Sequence, residues 1–133
     1  MIQMIVTKNV ETNVFDLIDS IAQRKAARAI GLLNDCLVQG EAPLKILFLL
    51  VRQFRQLLLI KDLNDQGYLE AEIKNRLKVH PYVVTKGLKM GRQFSKDQLI
   101  KFMDQLLKAE VTLKSTSVNG GELLESLIID LCY

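Results

Sequence analysis

This sequence predicts an all-α fold, a compact bundle of about seven helices. Apolar residues recur at spacings of three and four along most of the chain, and no stretch alternates with the period of two that a strand requires. Only two prolines and seven glycines interrupt 133 residues rich in Leu, Ile, Lys, Gln and Glu, a helix-forming composition. The third observation is the segment PLKILFLLVRQFRQLLLIKDLND, from Pro43 to Asp65, whose apolar side chains run almost all the way round one helix. A surface helix buries a single stripe about 100° wide. This one needs cover on most sides, from its own chain or from another protein.

The elements follow in order. Asn13 is placed to cap a first helix with Val14, Leu17, Ile18 and Ile21 on one face. A second helix, from about Arg24 to Val38, turns Ala26, Ile30, Leu33 and Leu37 inward, and Gly31 within it suggests that another helix passes closely. Gly40 is suited to end that helix, and Pro43 to the first turn of the long one. The long helix stops before Gly67. Tyr68 to Val79 makes a shorter helix with Leu69, Ile73 and Leu77 at spacing four, and His80-Pro81 breaks the chain. Pro81 opens the next helix, which runs to about Phe94 with Val84, Leu88 and Gly91 on one side. Ser95-Lys96-Asp97-Gln98 is a capping box ahead of a helix with Leu99, Phe102, Leu106, Ala109 and Leu113 in one stripe. Ile100, Met103, Leu107 and Val111 form a second stripe beside it. Asn119-Gly120-Gly121-Glu122 is a further capping box, leading into Leu123, Leu124, Leu127, Ile128 and Leu131.

Size and composition bound the function. With 49% apolar and 25% charged residues, 133 residues suffice for one domain with a real core. Cys36 and Cys132 sit in apolar helical patterns and read as small buried hydrophobes rather than a disulfide. The longest apolar run, Ile46 to Val51, is far short of the ~20 residues of a membrane span. The opening MIQMIVTKNVETN lacks the marks of a signal peptide, so the expected location is the cytoplasm.

Catalytic chemistry is not legible here. His80, the one histidine, reads as a cap or turn residue beside Pro81. Neither GxxxxGK[ST] nor a GxGxxG after a strand occurs, and Gly87 to Gly91 is a GxxxG that signals close helix packing. Glu122, Glu125 and Asp130 fall on solvated faces. Ser95, Ser115, Thr116 and Ser117 have no histidine in sequence reach, and Ser95 is better explained as a cap. No catalytic, metal or cofactor site is expected.

Charge is sharply segregated. Lys74, Arg76, Lys78, Lys86, Lys89, Arg92 and Lys96 carry +7 in a segment free of Asp and Glu, in a chain of net +3, so the remainder carries −4. The host is helix, tight turn, helix. Its functional reading is weak contact with nucleic-acid phosphates or an acidic partner, most of all through Lys74, Arg76, Lys86, Lys89 and Arg92. Its bland reading is a solvated basic face. Base-specific readout is disfavoured, because the second helix starts Pro81-Tyr82-Val83-Val84 without Asn or Arg.

The succession VFDLIDSI, PLKILFLLVRQFRQLLLIKDL, HPYVVTKGLKMGRQFS, LLKAEVTLKS and LLESLIIDL resembles the C-terminal domain of the delta subunit of the bacterial DNA polymerase III clamp loader. The resemblance runs from about Val10 to Leu131. It rests on the order of features rather than on one diagnostic motif: Arg52-Gln53-x-Arg55 in the apolar helix, His80-Pro81, Phe94-Ser95 and Leu113-Lys114. It implies a collar domain, one of five that pack into a ring, with the motor subunits and delta-prime as partners. Residues 1–12 would then be a stub from a preceding lid domain, with Met1 to Val6 its last residues, and 13–133 the collar. In that family the clamp is gripped by an N-terminal domain, so the segment would not open clamps alone. Phe48, Leu49 and Phe54 are candidate interface anchors that the sequence does not separate from the core. Arg52 and Arg55 would pair with a neighbour's carboxylates or within the domain.

Overall fold

Polar punctuation decides where each helix begins. A computed structural model describes residues 9–115 and 117–133; residues 1–8 of the expected 1–12 stub, and Thr116, lie outside these described residues, while residues 10–12 belong to the first helix. Among them are seven α-helices and no strand: α1 (Val10–Ala22), α2 (Ala26–Val38), α3 (Pro43–Asp65), α4 (Glu70–Leu77), α5 (Pro81–Gly91), α6 (Lys96–Ser115) and α7 (Gly120–Cys132). No helix among them is long and apolar enough to cross a membrane.

The caps are mostly those the residues announce. Ser95 Oγ accepts from the Gln98 N–H at 3.0 Å, and Gln98 Oε1 accepts in return from the Ser95 N–H. Asn119 caps α7 by accepting from the Glu122 N–H, and His80 Nδ1 accepts from the Tyr82 N–H at 3.0 Å. The first cap is different from the expectation. Asn9, one turn before Asn13, accepts from the Thr12 N–H and starts α1, while Asn13 is buried inside the helix. Gly40 and Gly67 end α2 and α3 at φ +91° and +95°, a region that favours glycine. Arg24, expected inside α2, instead takes a left-handed conformation in the turn before it.

α3 is the central post and packs against α1, α4, α5, α6 and α7. Phe54 at its middle is fully buried in a ring cluster with Phe94 and Phe102, edge-on at centroid distances of 5.6 to 5.9 Å. This main core joins α1, α2, α6 and α7 to the first two-thirds of α3. A smaller core lies beyond it, where Ile60, Ile73 and Val84 tie α4 and α5 to the end of α3.

Two glycines permit close approaches. A Cβ on Gly87 would fall 2.5 Å from Ile60 Cδ1, and one on Gly120 would fall 2.7 Å from Pro43 Cβ. Gly31 is not such a site: it is exposed, with no neighbour within 4 Å of its would-be Cβ. The inward face of α2 is also rotated from the expectation, onto Ala29, Leu33 and Cys36. Leu69, expected to pack, is exposed before the start of α4.

Candidate subunit interface

α3 is not covered all round. Leu44, Phe48, Arg52, Arg55 and Leu59 are spaced by four, four, three and four, so they occupy one arc of the helix, and all five are exposed. Phe48 keeps 61% of its surface in solvent. The opposite side, through Ile46, Leu47, Leu50, Phe54 and Leu57, is buried. Of the three sequence-proposed anchors, the structure therefore leaves one. Leu49 and Phe54 point into the domain's own core and offer a partner nothing, because α1, α5 and α6 close over that side of the helix. Phe48 stays on the outside.

The uncovered face continues onto α6. That helix buries Leu99, Phe102, Leu106 and Ala109, while Ile100, Leu107 and Val111 of its second stripe stay exposed, Val111 at 65%. Leu44 and Phe48 share with Glu110 and Lys114 a surface depression of about 420 Å³, and Leu107 and Val111 lie beside those residues on α6. Two apolar stripes on neighbouring helices thus face outward together. The second α6 stripe was legible in the sequence, but neither it nor Leu44 and Leu59 was read there as part of an interface. The available signal was that α6 carries two adjacent apolar stripes where one core-facing stripe suffices.

Arg52 and Arg55 make no ion pair or hydrogen bond among the described residues. The intradomain pairing open to them at sequence level does not form. No carboxylate stands three or four residues away from either one on α3.

The basic segment is not one continuous free surface. Lys96 pairs with Asp62, Arg76 lies over the Tyr68 ring, and Lys86 Nζ sits 4.3 Å from the Phe15 ring centre and 4.9 Å from that of Tyr82. Lys74, Lys78, Lys89 and Arg92 form no salt bridge among the described residues. The pairing with Asp62 raises the Lys96 ammonium above its ordinary value. Cys36 and Cys132 are buried free thiols, both raised by burial; for Cys36 a hydrogen bond from Asn13 offsets this in part.

Comparison with known proteins accords with this architecture. Residues 11–131 match the family described as DNA polymerase III delta subunit, C-terminal domain. The chain is 34% identical over 130 residues to the DNA polymerase III subunit delta of Bacillus subtilis, covering 98% of this chain and 38% of that protein. It superimposes on the Bacillus subtilis DNA clamp loader delta protein with a TM-score of 0.92 at 34% identity, over 97% of this chain and 38% of that one. The chain thus spans little more than a third of the relatives it matches. With the match extending from α1 to the end of α7, it belongs to the DNA polymerase III delta subunit family and carries that family's C-terminal domain.

Proposed function

We propose that this domain assembles a clamp loader: it packs in the collar against the C-terminal domains of neighbouring subunits, the motor subunits and delta-prime, and performs no catalysis itself. One observation carries the reading. Leu44, Phe48 and Leu59 on α3 and Ile100, Leu107 and Val111 on α6 leave apolar side chains uncovered on adjoining stripes of two neighbouring helices. An exposed apolar surface of this kind marks a contact with another protein. The name and structure of the clamp-loader relative support the same partner class.

The test is association of the full-length protein with the other clamp-loader subunits, measured by light scattering and pull-down. Phe48→Asp and Val111→Asp are expected to weaken that association while leaving helical content unchanged. Undiminished assembly by both variants would rule out this face.

A further inference from the structure

Within the exposed α3 face lies a built groove. Phe48 and Leu59 of α3, with Leu77 and Val79 from the end of α4 and the turn after it, line a cleft of about 270 Å³ between the two helices. Arg52 and Arg55 stand in the same cleft. Lys45, Lys108 and Lys114 each pair with a carboxylate four residues away on or next to their own helix, and Arg28 and Lys96 find Asp19 and Asp62. The two arginines have no such partner among the described residues, and they are three apart on one face, where like charges repel.

We propose that this cleft receives a helix of a neighbouring subunit that presents an apolar side chain flanked by Asp or Glu. The inference rests on the assembly reading and adds the chemistry of the partner. The apolar floor takes the apolar side chain. The guanidinium groups, planar forks matched to carboxylates, take the flanking acids and relieve their own repulsion. Arginine beside an aromatic residue is the composition of a protein–protein contact centre. A sugar-phosphate strand would satisfy the arginines but would lie against Phe48, Leu59, Leu77 and Val79 without polar partners.

The experiment uses the full-length protein and purified full-length clamp-loader subunits, one at a time, with affinity measured at about 50 mM and about 300 mM salt. Arg52→Glu combined with Arg55→Glu is expected to weaken binding about tenfold or more at low salt and to invert the salt dependence, since added salt then screens repulsion instead of attraction. Arg52→Lys with Arg55→Lys keeps the charge and loses the fork, so it should keep the salt dependence while binding more weakly than the unaltered protein and more tightly than the double reversal. Both arginines are exposed, so the melting temperature should not move. If Phe48→Asp abolishes binding while the double reversal binds like the unaltered protein, the acidic partner is overturned and the assembly reading stands. If neither change affects subunit binding, both are overturned. If the double reversal weakens binding to primed DNA but to no subunit, the occupant is nucleic acid and the inference fails. If it lowers only the melting temperature of the full-length chain, the cleft is covered by that chain's own remaining domains, and the inference fails equally.

Discussion

Ile60 and Gly87 meet where α5 crosses α3, so closely that a Cβ on the glycine would stand 2.5 Å from Ile60 Cδ1. Ile60 is one of three fully buried residues in the small core beneath α4 and α5. The contact therefore seats α5 on α3, and α4, whose end walls the arginine cleft, packs against α5. Gly87→Ala gains helix propensity but overpacks this site, with a net cost of about 1 kcal/mol. Ile60→Val removes the overlapping atom and costs about 1 kcal/mol alone. Together they should cost less than the sum by at least about 0.5 kcal/mol, because the new methyl fills the vacated space. Urea denaturation of the two single variants and the double measures the coupling. Strict additivity would sink the close-contact account.

The other two glycines of interest should respond in opposite directions. Gly31 is helical, exposed and unobstructed, so Gly31→Ala should stabilise by about 0.5–1 kcal/mol. Gly120 faces the Pro43 ring and Leu113. A proline ring cannot swing aside, so Gly120→Ala should cost about 1–3 kcal/mol. Melting temperatures of the two variants on either side of the parent value would bear this out.

What the sequence made legible was the punctuation. Ser95 with Gln98, His80 with Pro81, Gly40 and Pro43 each carry local chemistry that fixes a boundary whatever packs nearby. Asn9 and Asn13 show the limit of that logic. Both precede apolar residues, and Asn13 is removed from capping because Asn9 starts the helix one turn earlier and leaves Asn13 buried inside it. Side assignment on α3 was beyond reach for a related reason. Phe48 and Phe54 both lie in an unbroken apolar pattern, and which one faces outward depends on where α6 docks. That docking is set by Phe94 and Phe102, some forty residues further along the chain. That Arg52 and Arg55 form no salt bridge among the described residues is likewise a property of the fold and not of the local sequence.

The buried thiols make a pH prediction. Burial holds Cys36 above the ordinary 9.0; the hydrogen bond from Asn13 pulls it down in part, and the Glu41 and Asp35 carboxylates push it up. Burial alone raises Cys132. The folded state therefore holds these protons more tightly than the unfolded chain does. The stabilisation is complete below the unfolded thiol value and is lost as pH rises through the folded values, so the unfolding free energy should fall above about pH 9. Cys132→Ala should flatten that decline. At pH 8 a thiol reagent should modify neither cysteine until denaturant is added, as followed by absorbance. Immediate labelling of either thiol would contradict the burial.

Two phenylalanines of one helix should separate stability from assembly. Phe54 is fully buried and makes edge-on contacts with Phe94 and Phe102, so Phe54→Ala removes the centre of the ring cluster. A loss of about 3–5 kcal/mol is expected, enough to unfold much of a domain of ordinary stability. Phe48 is 61% exposed, and Phe48→Ala should change stability by no more than about 0.5 kcal/mol. Under the proposed assembly its effect falls on association with the other clamp-loader subunits, where truncating an aromatic anchor costs about 2 kcal/mol or more. Thermal denaturation and subunit binding, measured on both variants, give the four values needed. If Phe48→Ala destabilised the isolated chain as Phe54→Ala does, the outer stripe of α3 would belong to the domain's own core. A stable Phe48→Ala that still assembles at full affinity would place the collar contact elsewhere, and the α6 stripe at Leu107 and Val111 would be the next surface to change.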